Sequence, residues 1–298
     1  MSPPLEGASI ALLGIDWGSS SLRAFAIAPD GGVVAARRAD DGVFAGAGAF
    51  DERLRRHLGD WLVRWPAAPI LLCGMIGSDR GWRQAPYAAA PAGLADLAAA
   101  LVPLAFERPA HIVPGVSFRA GETREVMRGE ETLLMGLVGQ AGEATICLPG
   151  THSKWVDVRD GRIAAFRTYM TGELRAQFLA QGTLAPGVAQ VASGEAFAAG
   201  LSAAGAGVTA ALFQARARRL LGELAPEHTA SFITGVLIGE EVAREAKAGA
   251  PVILAAGGAM AQAYGNAFSA AGIACTVADP EPLAARGLLR IARQAGCV

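Results

Sequence analysis

Runs of apolar residues broken by small-residue turns open the chain. From Ile10 it reads IALLGID, WGSS, SLRAFAIA, PDGG and VVAARRA, which predicts three short strands in a meander. From Thr145 the order returns as TICL, PGTH, SKWVDVR, the Asp160-Gly161 turn and RIAAFRTYM. In both copies a turn carrying a hydroxyl beside glycine (Gly18-Ser19, Gly150-Thr151) precedes an Asp-Gly hairpin turn (Asp30-Gly31, Asp160-Gly161). Two copies about 130 residues apart predict two homologous α/β halves, 1–140 and 141–298, joined near Gly139 to Glu143. Twin halves are expected to hold a ligand cleft between them.

After each meander the apolar spacing changes to i, i+3, i+4. In the first half this predicts a helix over FDERLRRHLGDWLVRW, a buried strand at PILLCGMIG, and helices around LADLAAALV and RGEETLLMGLVGQ. In the second half TGELRAQFLAQG, GEAFAAGL, TAALFQARARRLLGEL and TASFITGVLIGEEVAREAKAG read as four helices. PVILAAGGAMAQAYGNAFSAAG reads as strand, double-glycine turn and helix; IACTVAD is a last strand and PLAARGLLRIAR the closing helix.

Composition narrows the function classes. The 298 residues are 52% hydrophobic and 18% charged, enough for a large core and unlike a disordered chain. With 26 basic and 27 acidic residues the net charge is -1, and no long run of one sign occurs, so neither nucleic acid nor an anionic membrane is an expected partner. The four cysteines form no C-x-x-C pair, and Cys73, Cys147 and Cys275 sit in apolar runs, which suits a reducing, cytoplasmic setting. The N-terminus lacks the basic start of a secretion signal, and no uncharged apolar run reaches the roughly 18 residues of a membrane span.

Asp16 ends a buried strand and is followed by Trp17-Gly18-Ser19-Ser20-Ser21. Such a turn offers backbone N–H groups and hydroxyls to phosphate oxygens while the carboxylate reaches a hydrated Mg²⁺; an ordinary hairpin with a self-capping Asp fits the first copy equally well. Gly150-Thr151-His152-Ser153-Lys154 at the matching place favours the phosphate reading, since two hydroxyl-bearing turns make a pincer for a polyphosphate. Gly257-Gly258, between a strand and a helix, admits a ligand to the backbone or serves close strand–helix packing. No G-x-x-x-x-G-K-[ST], no G-x-G-x-x-G after a strand, no G-x-S-x-G and no His/Cys/Asp cluster is present.

Taken together, these turns and the closing helix resemble the sugar kinase, Hsp70 and actin superfamily over almost the whole chain. IDWGSSSLRA, GMIGSDRGWRQAPY, VMRGEETLLMG, LPGTHSKWV and FRTYMTGEL, in that order, are similar to one family in particular, the 2-keto-3-deoxygalactonokinases. The resemblance implies a two-domain actin-like (ribonuclease H-like) α/β ATPase fold with duplicated mixed-sheet halves. It also implies ATP- and Mg²⁺-dependent phosphorylation of the 6-hydroxyl of 2-keto-3-deoxygalactonate. Asp16 is then expected on the metal, Gly18, Ser19, Ser20, Gly150, Thr151, His152, Ser153 and Lys154 at the phosphates, and Gly257 and Gly258 under the adenosine. Ser78, Asp79, Trp82, Tyr87, Arg128, Arg167 and Thr171 fall in the motifs expected to meet the sugar acid, with Arg128 and Arg167 as partners for its carboxylate. Trp82 and Tyr87 either wall the sugar or anchor their loop.

One departure concerns the base. Many superfamily members have an Asp opening the second phosphate turn, where this chain has Leu148-Pro149. The proton acceptor is therefore expected at Glu130 or Glu131, which begin a helix, with Glu130 preferred and Asp79 in reserve. That helix start also resembles the Gly-x-Glu-Glu segment of exopolyphosphatases, so a polyphosphate or nucleotide hydrolase is the rival enzyme, and a non-catalytic sugar-acid sensor the rival from another class. The sequence leaves galacto or gluco stereochemistry open, and with it a monomer or a homodimer.

Overall fold

A computed structural model describes residues 9–46, 48–138, 142–181, 184, 194–247 and 249–298. The chain forms two compact units: residues 1–143, 158–165 and 280–298 make the first, 144–157 and 166–279 the second. Most of the stretch expected to join the halves, 139–141, lies outside the described residues. The closing helix, read from sequence as part of the second half, belongs to the first unit.

The first unit contains β1 (Leu12–Trp17), β2 (Leu22–Ile27), β3 (Val33–Ala39), α1 (Phe50–Leu58), α2 (Asp60–Arg64), β4 (Ile70–Cys73), β5 (Tyr87–Ala89), α3 (Leu94–Ala99), β6 (Val102–Pro103), β7 (Ala110–Ile112), β8 (Gly115–Ala120), β9 (Thr123–Met127) and α4 (Glu130–Leu137). Its main sheet runs β3-β2-β1-β4-β7-β6, with β1 antiparallel to β2 and parallel to β4. β1 is buried on both faces because it lies mid-sheet, whereas β3, at the edge, alternates toward solvent. The expected single helix over 50–65 is two: Gly59, at φ 42, closes α1 before α2 begins. The core joins Leu13, Ile15, Trp17, Leu54, Trp61 and Leu72. A small sheet, β5-β8-β9, has no counterpart in the pattern reading, because its strands are short and half exposed.

The second unit holds β10 (Glu143–Leu148), β11 (Ser153–Arg159), β12 (Arg162–Tyr169), α5 (Thr171–Ala180), α6 (Glu195–Ala203), α7 (Val208–Leu220), α8 (Thr229–Glu245), β13 (Val252–Ala255), α9 (Gly258–Ala270) and β14 (Cys275–Ala278). The tip of the β11–β12 hairpin clusters with the first unit, where Ile163 bridges to Ala92. The sheet order, β12-β11-β10-β13-β14, repeats the β3-β2-β1-β4-β7 order of the first. Here α8 is buried along almost its whole length, and α6 crosses it at glycines: a Cβ on Gly200 would overlap the Phe232 carbonyl, and one on Gly235 that of Phe197. In the first unit α10 (Pro280–Gln294) crosses α4 by the same device, Gly287 against Thr132 and Gly136 against Leu283. Close backbone approach is possible only where no side chain intervenes.

Candidate functional site

In the first unit three segments converge on Gly74. β1 ends at Asp16-Trp17, Gly74 (φ 89) follows β4, and Gly129 (φ 112) precedes α4. A Cβ on Gly74 would lie 2.7 Å from the Trp17 carbonyl oxygen and 3.2 Å from Oδ1 of Asp16; one on Gly129 would lie 3.3 Å from Gly74 Cα. Both positions therefore need glycine twice over, for the backbone angle and for the space. Asp16, 17% exposed, pairs through Oδ2 with Arg23, its opposite number on β2. The following turn is closed by the Gly18 N–H donating to Ser21 O at 2.9 Å, and the Gly18 and Ser19 carbonyls accept from Val43 and Phe44. Ser19 and Ser20 remain exposed.

The two acids of α4 separate in environment. Glu131 is fully buried: Oε2 accepts from the Gly129 N–H at 2.6 Å and Oε1 from the Thr132 hydroxyl at 3.0 Å. Burial, then the neighbouring Glu130 charge, push its carboxyl up to about 8. The expectation that Glu131 could serve as the base is corrected on this ground: both oxygens are occupied and no surface is open to a substrate. Glu130 is half-buried, with Oε2 accepting the Arg128 N–H at 3.1 Å. The Cys73 thiol beneath them is pushed well up by burial and then by Asp16 and Glu131, so the strand-end and helix-start carboxyls act on one buried atom.

Arg128 occupies an unusual position. Its Nη2 donates to Ala85 O at 2.8 Å and its Cζ lies 4.4 Å over the Tyr87 ring, yet Nε and Nη1 are buried without a hydrogen-bond partner. Gly77 backs it, since a Cβ there would lie 2.9 Å from Nη1. In the same loop Ser78 is buried and its Oγ accepts the Arg80 N–H at 3.3 Å, while Asp79 is exposed. Trp82 is an anchor rather than a wall: its ring meets Phe106 edge-on at 5.9 Å and packs on the core. Tyr87, 43% exposed under Arg128, is the aromatic with an open face.

In the second unit the turn before β11 is strapped to the first turn of α5. Glu173 N–H donates to Thr151 O at 2.9 Å, His152 Nε2 meets Glu173 Oε2 at 2.6 Å, and a Cβ on Gly172 would overlap the Gly150 carbonyl. Gly150, Thr151 and His152 are exposed. Ser153 and Lys154, expected at the phosphates, turn inward: Ser153 Oγ lies 2.9 Å from the Tyr264 hydroxyl, and the buried Lys154 Nζ donates to His152 O at 3.4 Å. This corrects their assignment, because the start of β11 is buried on both faces, so the neighbouring Ser153 and Lys154, which point to opposite faces, are both covered. A cavity of about 210 Å³ opens beside the turn, lined by Gly150, Thr151, Thr171, Arg175, Thr234 and Met260 among others. Gly258 sits at φ 55, and a Cβ on either Gly257 or Gly258 would have no atom within 4 Å. Close packing is thus no reason for glycine here, which leaves the backbone open to a ligand. Arg167 is exposed and pairs with Glu245 at 3.4 Å, beside the Tyr169 hydroxyl that donates to the same oxygen at 2.6 Å.

Residues 16–291 match the model of the 2-keto-3-deoxy-galactonokinase family. The chain belongs to that family. A Rhizobium meliloti (strain 1021) protein named "Probable 2-dehydro-3-deoxygalactonokinase DgoK1" is 36% identical over 298 residues, 94% of this chain and 95% of the relative. The Escherichia coli (strain K12) 2-dehydro-3-deoxygalactonokinase is 34% identical over 287 residues, covering 94% of this chain and 97% of its own length. A crystal structure from Sinorhizobium meliloti, described as a candidate 2-dehydro-3-deoxygalactonokinase, superposes with TM-score 0.87 at 35% identity over 95% of this chain and 98% of that one. The fold is the actin-like α/β class with duplicated mixed sheets, and the strand order of the first unit recurs in the second.

For this family member, sequence reasoning missed Glu241, Tyr264 and Arg175. Glu241 follows Glu240 on α8 and Tyr264 lies between Gln262 and Asn266 on α9, and Arg175 borders the cavity on α5 with its Nε 2.8 Å from Thr234 Oγ1. No spacing marks such residues; only packing brings them together. Among the described residues no group of three or more His, Cys, Asp or Glu could hold a metal, and no helix is long and apolar enough to cross a membrane.

Proposed function

We propose that the chain is a kinase that transfers the γ-phosphoryl group of ATP to the 6-hydroxyl of 2-dehydro-3-deoxygalactonate. Family membership and two relatives named for that activity support the reaction class. The observation that carries the substrate class is Arg128, a half-buried guanidinium held by Ala85 O and Tyr87 whose Nε and Nη1 have no hydrogen-bond partner among the described residues. A guanidinium with donors still unsatisfied is complemented by a carboxylate, which accepts from it with charge assistance, better than by the neutral hydroxyls of a hexose. Arg167, exposed and already paired, has no such deficit. Tyr87, stacked on Arg128, fixes the guanidinium plane.

Within the first unit the base is assigned to Glu130, half-buried at the α4 start and held through Oε2 by the Arg128 N–H, with the exposed Asp79 as the reserve. Asp16 fits a hydrated Mg²⁺, a cation that takes one or two carboxylates plus phosphate oxygens: Arg23 engages Oδ2, and Oδ1 faces Gly74. When bound, that cation would neutralise developing phosphoryl charge. In the second unit the exposed Gly150–His152 turn, the cavity beside it and the open Gly257-Gly258 backbone suit the nucleotide. Four unbridged cysteines suit a cytoplasmic setting.

The test is ADP release with ATP and Mg²⁺ against 2-keto-3-deoxy sugar acids, neutral hexoses and polyphosphate. Acid-dependent release is expected, and Arg128→Met should lower kcat/KM for the acid by roughly 10- to 150-fold, the loss of a charge-assisted contact of about 1.5–3 kcal/mol. Equal use of a neutral hexose, or full efficiency in the Met variant, would sink the carboxylate assignment. Orthophosphate from polyphosphate would favour the hydrolase.

A further inference from the structure

A fully buried carboxylate in the second unit is engaged from several elements at once. Glu241, on α8, accepts from Trp155 Nε1 through Oε2 at 2.9 Å and from the Tyr264 hydroxyl through Oε1 at 2.9 Å. Thr171 and Ser153 also hydrogen-bond its side chain, and Ser153 Oγ lies 2.9 Å from the Tyr264 hydroxyl. These partners come from β11, from the first position of α5, and from α9. Burying a carboxylate is costly unless donors satisfy it, and a cage of donors supplied by separate elements has one geometry in which all are satisfied.

The same elements surround the cavity. Its walls are Thr171, Gly172 and Arg175 from α5, Thr234 and Ile238 from α8, Met260 from α9, and Gly150 and Thr151 from the exposed turn. That turn is flanked by Ser153, bonded into the cage, and strapped to α5, whose first residue Thr171 both lines the cavity and bonds Glu241. Glu241 itself does not line the cavity. It touches no face a ligand could reach, yet every wall of the cavity traces back to one of its hydrogen bonds or to its own helix.

We infer that Glu241 is a positioning residue for nucleotide affinity: its carboxylate locks α5, α8, α9 and the Gly150–His152 turn into the arrangement that receives the nucleotide. The inference rests on the assignment of the nucleotide to this cavity. A Gln at this position keeps the shape and an oxygen for Trp155 Nε1, but it removes the charge and half of the acceptor capacity, so the Tyr264, Ser153 and Thr171 hydroxyls can no longer all donate to it and the hold on their elements loosens while the fold is kept. Tyr264→Phe removes one hydroxyl from the same cage, and its ring is buried away from the cavity.

The experiment measures ADP binding by calorimetry, and steady-state constants for ATP and the sugar acid, in the parent, Glu241→Gln and Tyr264→Phe, with melting curves as a fold control. Expected are a rise of roughly 10-fold or more in the ADP Kd and ATP KM for Glu241→Gln, a smaller rise of about 3-fold or more for Tyr264→Phe, and sugar-acid KM and saturated kcat within about 3-fold of the parent. A purely structural role would lower the melting temperature and the active fraction while leaving the ATP KM unmoved. Unchanged ADP affinity in the folded variants overturns the inference, as does an equal rise in both substrates' KM. If Glu241→Gln fails to fold, Tyr264→Phe alone decides by the same criterion. Should the parent bind no ADP, the nucleotide assignment falls first and the inference with it; should the parent bind and the variants match it, only the inference falls.

Discussion

Replacing Glu131 by Gln should make the protein's stability less dependent on pH between about 5 and 8. In the fold this carboxyl is fully buried, takes hydrogen bonds from Gly129 and Thr132, and is pushed up to about 8 from an ordinary 4.5 by burial and by Glu130. The folded chain therefore keeps the proton across a range in which the unfolded chain has lost it. Stability then falls as pH rises, from the unfolded value near 4.5 up to the folded value near 8, and levels off above. At 1.36 kcal/mol per unit the ceiling on that loss is about 5 kcal/mol, and a few kcal/mol is the order expected after relaxation around the site. Gln keeps an oxygen for the Gly129 N–H, and its amide can donate to the Thr132 hydroxyl, so the shape survives without the titration. Urea unfolding of parent and variant at pH 5, 6, 7 and 8 gives the measurement. The variant should gain on the parent steadily toward pH 8. A stability difference that stays constant to within about 0.5 kcal/mol over that range would refute the protonated, buried Glu131.

Asp16→Asn should nearly abolish turnover without loss of fold, since the amide keeps the turn's shape but not the charge; activity within a few-fold of the parent at limiting Mg²⁺ would reject the metal role. Gly257→Ala meets no neighbour and an extended φ of -128, so its melting temperature should match the parent while its ATP KM rises; an unchanged KM would remove Gly257 from the nucleotide site. Gly287→Ala places a methyl on the Thr132 carbonyl where α10 crosses α4, and should destabilise by about 1–3 kcal/mol in denaturant titration; a neutral result would contradict that helix crossing.

The chain's periodicity by itself determined the two meanders and most of the helices, because burial of strand and helix faces is written locally in alternation and 3.6-residue spacing, whereas the order of the strands in each sheet came only with the fold. Five ordered motifs likewise determined the family, since each keeps chemistry-bearing residues at short fixed intervals. Tertiary structure alone decided what each of those residues touches. It separated Glu130 from Glu131, adjacent in sequence but set apart by one step of helical rotation that buries the second. It left Arg128 short of partners and Arg167 supplied with one, a difference set by the Gly77 loop and by Glu245, both distant along the chain. It turned Ser153 inward, made Trp82 an anchor, assembled the Glu241 cage from β11, α5, α8 and α9, and gave α10 to the first unit. Faces are a local property of the chain; the partner that meets each face is fixed only when distant segments pack, and hydrogen bonding, burial and charge all depend on that partner.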